Sequence, residues 1–237
     1  MSTFVVAHGA WSASWAWRKM RPLMRTAGHE LFVPCYTGLG ERHHASTPQI
    51  TLDTHIADVV GVLEMEDLTD VVLIGHSYGG MVATGVADRA RSRIGRLIYL
   101  DAFVPRHGQC LFDLQRPEHR ARTEALAAAE GHGWLVPPQA PPPDTSAEDL
   151  AWMMPRRFHQ PIGTFNTRLE LANGEFSGPR AYVFCTRVGP ADSFRPFAER
   201  ARAEAGWTYR ELDASHNPHI TMPQTLMLLL EELARGA

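Results

Sequence analysis

The sequence predicts an α/β protein with a mostly parallel, doubly wound sheet of about six strands and helices on both faces. Short runs of β-branched and aliphatic residues alternate with amphipathic helical stretches, which is typical of parallel strands joined by crossover helices. The chain has 237 residues, 44% of them hydrophobic and 21% charged, so it can form one domain with a full core. The predicted strands are 3–7, 30–34, 71–75, 96–101, 180–186 and 208–212.

Hydrophobic spacing predicts two helices most clearly. In each of them, apolar side chains recur at intervals of three and four residues and therefore share one helical face. They are Leu52, Ile56, Val59, Val60 and Leu63 in the first helix, and Leu226, Leu229, Leu230 and Leu233 in the last. Thr221 and Gln224 have the spacing of a capping box and Pro223 lies in the first turn, so the last helix is predicted to begin here.

The alternation of strands and helices is interrupted between 106 and 172, where helix-forming stretches surround a proline-rich loop at 137–143. No run in this segment is convincing as a strand, and the proline cluster is too short to link independent modules. We therefore expect one domain, with a core formed by 1–105 and 173–237 and an insertion, 106–172, that lies over the sheet.

Charge and cysteine content argue against several functional classes. Lys and Arg number 23 against 26 Asp and Glu, and no long basic run is present, so nucleic acid is not an expected partner. The cysteines lack the spacing of a metal or redox pair, and adjacent His43 and His44 lack a third ligand, so no metal site is expected. With no basic leader and no apolar run near the roughly 20 residues of a membrane span, a cytoplasmic protein without membrane contact is expected.

The strongest functional signal is a Gly-x-Ser-x-Gly motif at 75–79, between a predicted strand and a predicted helix. Glycines flank the serine of a nucleophile elbow because the tight strand-to-helix turn leaves no room for side chains. The turn raises the Ser77 hydroxyl above the sheet at a helix N-terminus, where the helix dipole favours developing negative charge. Ser77 is therefore the candidate nucleophile.

A serine hydroxyl needs a general base, which in this arrangement comes late in the chain. His216 directly follows the last predicted strand and is the candidate base, whereas His219 is expected at the surface or in packing. The oxyanion of a tetrahedral intermediate needs backbone N–H donors from the residue after the nucleophile and from the loop after the first strand. Tyr78 and Ala10 are the candidate donors, and Gly9 allows the backbone to approach a substrate closely.

Several stretches resemble the α/β-hydrolases of the plant methylesterase and hydroxynitrile-lyase family, in a bacterial-type version. They are 4–17 (FVVAHGAWSASWAW), 28–34, 52–68, 71–82 (VVLIGHSYGGMV) and 97–105 (LIYLDAFVP), and later only His216 and its helix match. The resemblance implies the α/β-hydrolase fold, with 106–172 as a helical cap over a buried, largely apolar pocket. It also implies a carboxylesterase-type serine hydrolase that requires no cofactor.

Two other functions occur on this fold. The related lyases carry a hydroxyl or amide side chain where this chain has Gly9, and one class has a lysine where this chain has Asn217. A small-molecule receptor that abandons catalysis tends to lose its nucleophile or base, whereas Ser77 and His216 are both retained. We therefore expect cleavage of small hydrophobic or aromatic carboxylic esters through an acyl-enzyme intermediate, with hydroxynitrile lyase or other lyase activity, and a receptor role, as alternatives.

The acid of the expected triad departs from the family pattern. Plant members carry an aspartate at the position occupied here by Val188. Two carboxylates could replace it: Asp101, at the end of the strand 96–101, and Asp192, further along the loop that contains Val188. Either could orient the imidazole and stabilise its protonated form. We favour Asp101 slightly, because Asp192 also has the context of a helix start.

The insertion contains apolar side chains that could line the pocket. With Gly9, the candidate substrate-binding residues are Trp134, Trp152, Met153 and Phe158. Apolar walls with few charges suit a small hydrophobic or aromatic ester, which is the expected partner. Trp11 is expected to pack beneath the cap, and Arg157 to lie on its exposed face; the oligomeric state is left open.

Overall fold

The computed structural model describes residues 1–189 and 192–236. The strands in these ranges are β1 (Thr3–Ala7), β2 (Glu30–Phe32), β3 (Val71–His76), β4 (Ile94–Leu100), β5 (Leu135–Val136), β6 (Gln160–Pro161), β7 (Arg180–Cys185) and β8 (Trp207–Leu212). Six of them form one sheet in the order β2-β1-β3-β4-β7-β8, and each pair of neighbours is parallel. The predicted fold class is confirmed, and each predicted strand corresponds to one strand of this sheet.

The α-helices of the described residues connect and cover these strands. They are α1 (Met20–Thr26), α2 (Leu52–Met65), α3 (Gly79–Arg89), α4 (Pro117–Glu130), α5 (Ala147–Met153), α6 (Gly163–Asn166), α7 (Arg195–Ala203), α8 (Pro218–Thr221) and α9 (Pro223–Arg235). The predicted capping box of the last helix is wrong, because Thr221 ends α8 and its hydroxyl donates to the Asn217 carbonyl. Pro223 begins α9 instead, where a missing N–H costs no hydrogen bond.

Buried side chains lie on both faces of the sheet because neighbouring residues of a strand point to opposite sides. Along β1, Val5 and Ala7 belong to a core formed with α2, α3 and α7, whereas Phe4 and Val6 belong to a core formed with α1 and α9. Parallel strands with both faces covered end together at one edge. This edge carries the loops in which the candidate site residues lie.

The segment between β4 and β7 contains α4, α5 and α6. The expectation that it lacks strands is wrong in one detail, since β5 and β6 pair as a short antiparallel ladder. Two-residue strands are too short to produce a hydrophobic alternation in the sequence. The boundaries of the proposed cap, 106–172, stay a prediction.

The cysteines and the lengths of the helices are two further features of the structure. The three cysteines, Cys35, Cys110 and Cys185, are free thiols. Among the helices that the structure describes, none combines the length and apolar character needed to cross a bilayer.

Candidate active site

The turn between β3 and α3 holds Ser77 in a strained conformation. Its φ of +57° lies in the left-handed region, which side-chain-bearing residues rarely adopt. A Cβ on Gly75 would lie 2.8 Å from the Ala83 Cβ, and a Cβ on Gly79 would overlap the Ala7 carbonyl oxygen. Close contact between β1, β3 and α3 is thus the reason for glycine at both positions, and it fixes where the serine stands.

Three side chains form a hydrogen-bonded series at the carboxyl edge of the sheet. The Ser77 Oγ lies 2.9 Å from His216 Nε2, and His216 Nδ1 lies 2.6 Å from Asp101 Oδ2. Because an ionised carboxylate can only accept, Nδ1 carries a proton and Nε2 is left to accept from the serine hydroxyl. The imidazole is therefore in the tautomer that can take the serine proton.

Asp101 reaches His216 because it directly follows β4. Leu100 is in register with His76, so Asp101 and Ser77 leave neighbouring strands side by side. Asp101 is 3% exposed, and burial raises the pKa of its carboxyl group, while hydrogen bonds from His216 and from the Cys185 N–H oppose this rise. The carboxylate is buried, and its charge is stabilised by the two hydrogen-bond donors, the His216 Nδ1–H and the Cys185 N–H.

Asp192, the alternative acid, has a different set of partners. Its Oδ1 accepts from the N–H groups of Phe194 and Arg195, both at 3.0 Å, and its carboxylate pairs with the Arg195 guanidinium at 2.9 Å. These contacts place Asp192 at the start of α7, as its sequence context indicates. The structure thus brings Asp101, and not Asp192, to His216.

The two candidate oxyanion donors, Ala10 and Tyr78, line the same cavity as Ser77. Within the described residues, neither backbone N–H donates to a protein acceptor. Unpaired backbone N–H groups at an active-site cavity are available to an incoming oxygen. Their role as donors stays a prediction.

Other histidines surround the Asp101–His216–Ser77 series without joining it. His76 Nε2 lies 2.8 Å from the His216 carbonyl oxygen, to which it can only donate, so His76 braces the loop that carries the candidate base. His219 is 2% exposed and stacks on Trp17 at 4.7 Å, so the expectation of a packing residue agrees with its position. Burial lowers the pKa of His76 well below its ordinary value and lowers that of His219 to about 3. Both rings are therefore uncharged near neutral pH.

A cavity of about 660 Å³ opens in front of Ser77, between the sheet and the segment that joins β4 to β7. Gly9 and Met153 line it, as predicted. Trp11 and Arg157 line it too, contrary to expectation. The Arg157 side chain turns inward to donate to the Gln139 carbonyl, and burial lowers the pKa of its guanidinium to about 10.

Three of the predicted substrate-binding residues lie outside this cavity, so their prediction is corrected. Trp152 packs edge-to-face on Trp15 with a ring distance of 5.2 Å, and Phe158 stacks on His43 at 3.9 Å. Trp134 lies in the turn between α4 and β5, where its carbonyl accepts from the Ile162 N–H. The Trp152 and Phe158 rings thus pack on side chains of residues 1–105, because the apolar character of a residue does not indicate which way its side chain points.

Phe194 is a site residue that sequence reasoning does not identify. Its ring stacks on the His216 ring with centroids 4.8 Å apart and planes inclined by 10°. The contact covers one face of the imidazole and restricts its rotation. Its only signal in the sequence is its place at the predicted start of a helix, which says nothing about the direction of the ring.

Comparisons with known proteins agree with this architecture. A profile of the alpha/beta hydrolase family matches residues 4–227. The carbendazim hydrolyzing esterase of Nocardioides sp. (strain SG-4G) is 39% identical over 235 residues, which cover 95% of this chain and 97% of that protein. Methylesterase 9 of Arabidopsis thaliana is 31% identical over 106 residues, which cover 44% of this chain and 41% of that protein.

A solved structure has the same fold over nearly the whole chain. It is an extracellular alpha/beta-hydrolase from a Paenibacillus species, described as sharing structural and functional homology with tobacco salicylic acid binding protein 2. The two share 26% identity and a TM-score of 0.82 over 98% of each chain. The resemblance to methylesterase-type hydrolases is confirmed. The esterases among these relatives also confirm the expectation of a hydrolase that acts on esters, and the chain belongs to the alpha/beta hydrolase family.

Proposed function

We propose that this protein is a serine esterase that cleaves small hydrophobic or aromatic carboxylic esters through an acyl-enzyme intermediate. The observation that carries the proposal is the series Asp101–His216–Ser77, with bonds of 2.6 and 2.9 Å, facing a cavity of about 660 Å³. That volume is in the range of small-molecule sites. The aromatic rings of Trp11 and Phe165 on its wall favour an apolar or aromatic substrate.

In the first half-reaction, Ser77 attacks the ester carbonyl while His216 accepts its proton at Nε2. The imidazolium is stabilised by the buried Asp101 carboxylate, which keeps the ring oriented for the next transfer. His216 then gives the proton to the leaving alcohol, and the acyl group remains on the Ser77 oxygen. In the second half-reaction, water attacks the acyl carbonyl by the same steps and releases the carboxylic acid.

The tetrahedral intermediate carries its negative charge on the former carbonyl oxygen. We place this oxygen between the backbone N–H groups of Ala10 and Tyr78, which have no acceptor among the described residues. Donors that are already in position stabilise charge in the transition state without reorganising.

A lyase on the same scaffold is the alternative in enzyme chemistry. Position 9 faces the nucleophile, because a Cβ there would lie 3.0 Å from His76 Nδ1 and 3.2 Å from the Ser77 Cβ. Gly9 offers no hydroxyl or amide at this point, so it supports hydrolysis over cyanohydrin cleavage. The retained hydrogen-bonded triad likewise supports turnover over a receptor function.

The compartment and the substrate range belong to the same proposal. Free thiols at all three cysteines favour a reducing compartment such as the cytoplasm. Carbendazim, which the Nocardioides relative hydrolyses, is a rational first test substrate beside simple aryl esters. The expected partner is a small-molecule ester.

The deciding experiment compares the wild type with Ser77→Ala and with Ser92→Ala, an exposed serine remote from the site, as the matched control. With p-nitrophenyl acetate we expect Ser77→Ala to lose at least about 10³-fold in kcat/KM and Ser92→Ala to lose nothing. Acid-quenched wild type should carry an acetyl group, located on Ser77 by peptide mass spectrometry. Equal turnover by Ser77→Ala would overturn the nucleophile, and ligand binding without turnover would favour the receptor.

A further inference from the structure

We propose that Gln160, which lies outside the cavity, is a positioning residue that holds one half of the oxyanion hole in place. The inference rests on the proposed function, because it concerns how the Ala10 N–H is aimed at the ester oxygen. It makes the rate of the chemical step depend on the segment between β4 and β7, to which Gln160 belongs.

Trp11 has a φ of +54°, which is unfavourable for a bulky side chain and requires support from its surroundings. Two hydrogen bonds supply that support. The Trp11 backbone N–H donates to Gln160 Oε1 at 2.9 Å, and its indole N–H donates to the Val136 carbonyl at 2.9 Å. Val136 and Gln160 are partners across the β5–β6 ladder, so both bonds come from one rigid unit.

The Gln160 side chain is itself fixed. It is fully buried, and its Nε2 donates to the Thr164 hydroxyl at 2.8 Å. The Thr164 hydroxyl in turn donates to the Pro161 carbonyl at 2.7 Å, so it can only accept from Gln160. This chain assigns the amide nitrogen to Thr164 and the amide oxygen to Trp11, with no freedom to flip.

Phe165 connects this unit to the other half of the oxyanion hole. Its ring meets Trp11 edge-on at 5.8 Å and Tyr78 at 5.6 Å. Residues of β6 and α6 therefore brace both backbone segments that carry the proposed donors. Without an acceptor at position 160, the Trp11 N–H would lose its partner, and the strained turn would relax toward a commoner conformation. The Ala10 N–H would move with it.

The test uses Gln160→Met, which keeps the volume and removes the acceptor, and Gln160→Glu, which restores an acceptor. Lys19→Met is the matched control, because Lys19 links the same segment to the core through Asp149 and the Ile220 carbonyl, away from Ala10. The substrate is p-nitrophenyl butyrate. Two inhibitors complete the set: a trifluoromethyl ketone, which forms an oxyanion on Ser77, and the butyrate product, which does not.

We expect Gln160→Met to lower kcat about 10- to 100-fold while KM changes less than threefold. The affinity for the trifluoromethyl ketone should fall by a similar factor. Butyrate affinity should stay constant, Gln160→Glu should recover part of kcat, and Lys19→Met should keep kcat even where its Tm falls. Gln160→Met and Lys19→Met each remove a bond between the segment and the core, so a purely structural role of Gln160 would lower kcat equally in both. Equal kcat in the two variants therefore overturns the inference. A loss confined to KM in Gln160→Met overturns it as well.

A second variant covers the case in which Gln160→Met does not fold. Thr164→Val leaves the Gln160 oxygen but frees its amide to rotate, and a smaller loss in the same two quantities is expected. Unchanged kcat and ketone affinity in Thr164→Val would then count against the inference. Failure of the proposed function would look different, because Ser77→Ala would retain activity and the ketone would not bind to Ser77.

Discussion

Asp101 combines a buried carboxylate with a backbone φ of +42°, an unusual pairing for a residue other than glycine. Its N–H donates to the Val183 carbonyl, so the strained turn is held by the neighbouring strand. The turn directs the carboxylate across the sheet edge toward His216 instead of along the strand. A residue in an ordinary extended conformation at this position would point elsewhere.

Asp101→Asn should lower kcat by about 10³- to 10⁴-fold, because the amide cannot hold the imidazole in the required tautomer or stabilise its charge. Asp192→Asn should leave kcat within about twofold, since asparagine can replace aspartate at a helix start. Steady-state kinetics on p-nitrophenyl acetate, with circular dichroism to show that both variants fold, makes the comparison. The reverse order of losses would assign the acid to Asp192.

The sequence predicts Ser77 and His216 well but leaves two acids open, and the reason is physical. A strand-to-helix turn flanked by glycines marks the serine within a few residues of sequence. The direction of a carboxylate at a strand end depends on a φ value and on contacts with β7, which are distant in sequence. The same limit applies to Trp152 and Phe158, whose apolar character indicates burial without indicating the partner.

The helix α3, which follows the nucleophile, is nearly enclosed by the rest of the fold. All its residues except Arg89 are buried, and it lies close enough to β1 that Gly79 meets the Ala7 carbonyl. The sequence predicts a helix here from its place after the Gly-x-Ser-x-Gly motif, and the helix lacks a polar face because it lies centrally under the site. By contrast, α2 has an exposed side, on which Gly61 has open space.

Two glycine substitutions test this contrast. Gly79→Ala should destabilise the fold by several kcal/mol, because the new methyl group forces β1 and α3 apart. Gly61→Ala, the matched control in a helix interior, should stabilise it by about 0.5–1 kcal/mol. Urea unfolding followed by circular dichroism measures both. An unchanged midpoint in Gly79→Ala would mean that β1 and α3 are less tightly packed than described.

Several uncharged histidines are enclosed in the fold. Burial lowers the pKa of His8 to about 4 and the pKa values of His55 and His219 to about 3, from an ordinary value of 6.5. The unfolded chain therefore binds protons that the folded chain excludes. The stability from these groups is fully present above pH 6.5 and is lost as the pH falls from there toward 4 and 3.

His219→Phe tests this dependence, because phenylalanine can keep the stack on Trp17 without titrating. A single such histidine contributes up to about 1.4 kcal/mol per pH unit, so between pH 7 and 5 the variant should lose about 2 kcal/mol less stability than the wild type. Urea midpoints at both pH values give the slopes. The control is His44→Gln, since His44 is exposed. Equal slopes of unfolding free energy against pH in the wild type and His219→Phe would contradict a contribution from His219. Burial raises the pKa of Asp101, so its contribution to stability changes with pH in the opposite direction to that of the histidines. Because Asp101 is present in the wild type and in both variants, its contribution cancels in the comparison.

The neighbouring positions of Ser77 and Asp101 have a consequence for the acquisition of activity during folding. Both residues belong to one contiguous β-α-β unit, from Val71 to Asp101, whose contacts are local in sequence and close at a low entropic cost. His216 arrives only when β8 pairs with β7 at the far side of the sheet. The Asp101 turn is also held by β7, so the triad is complete only when β7 and β8 have both joined the sheet, and we expect the onset of hydrolysis during refolding to report the docking of these last strands.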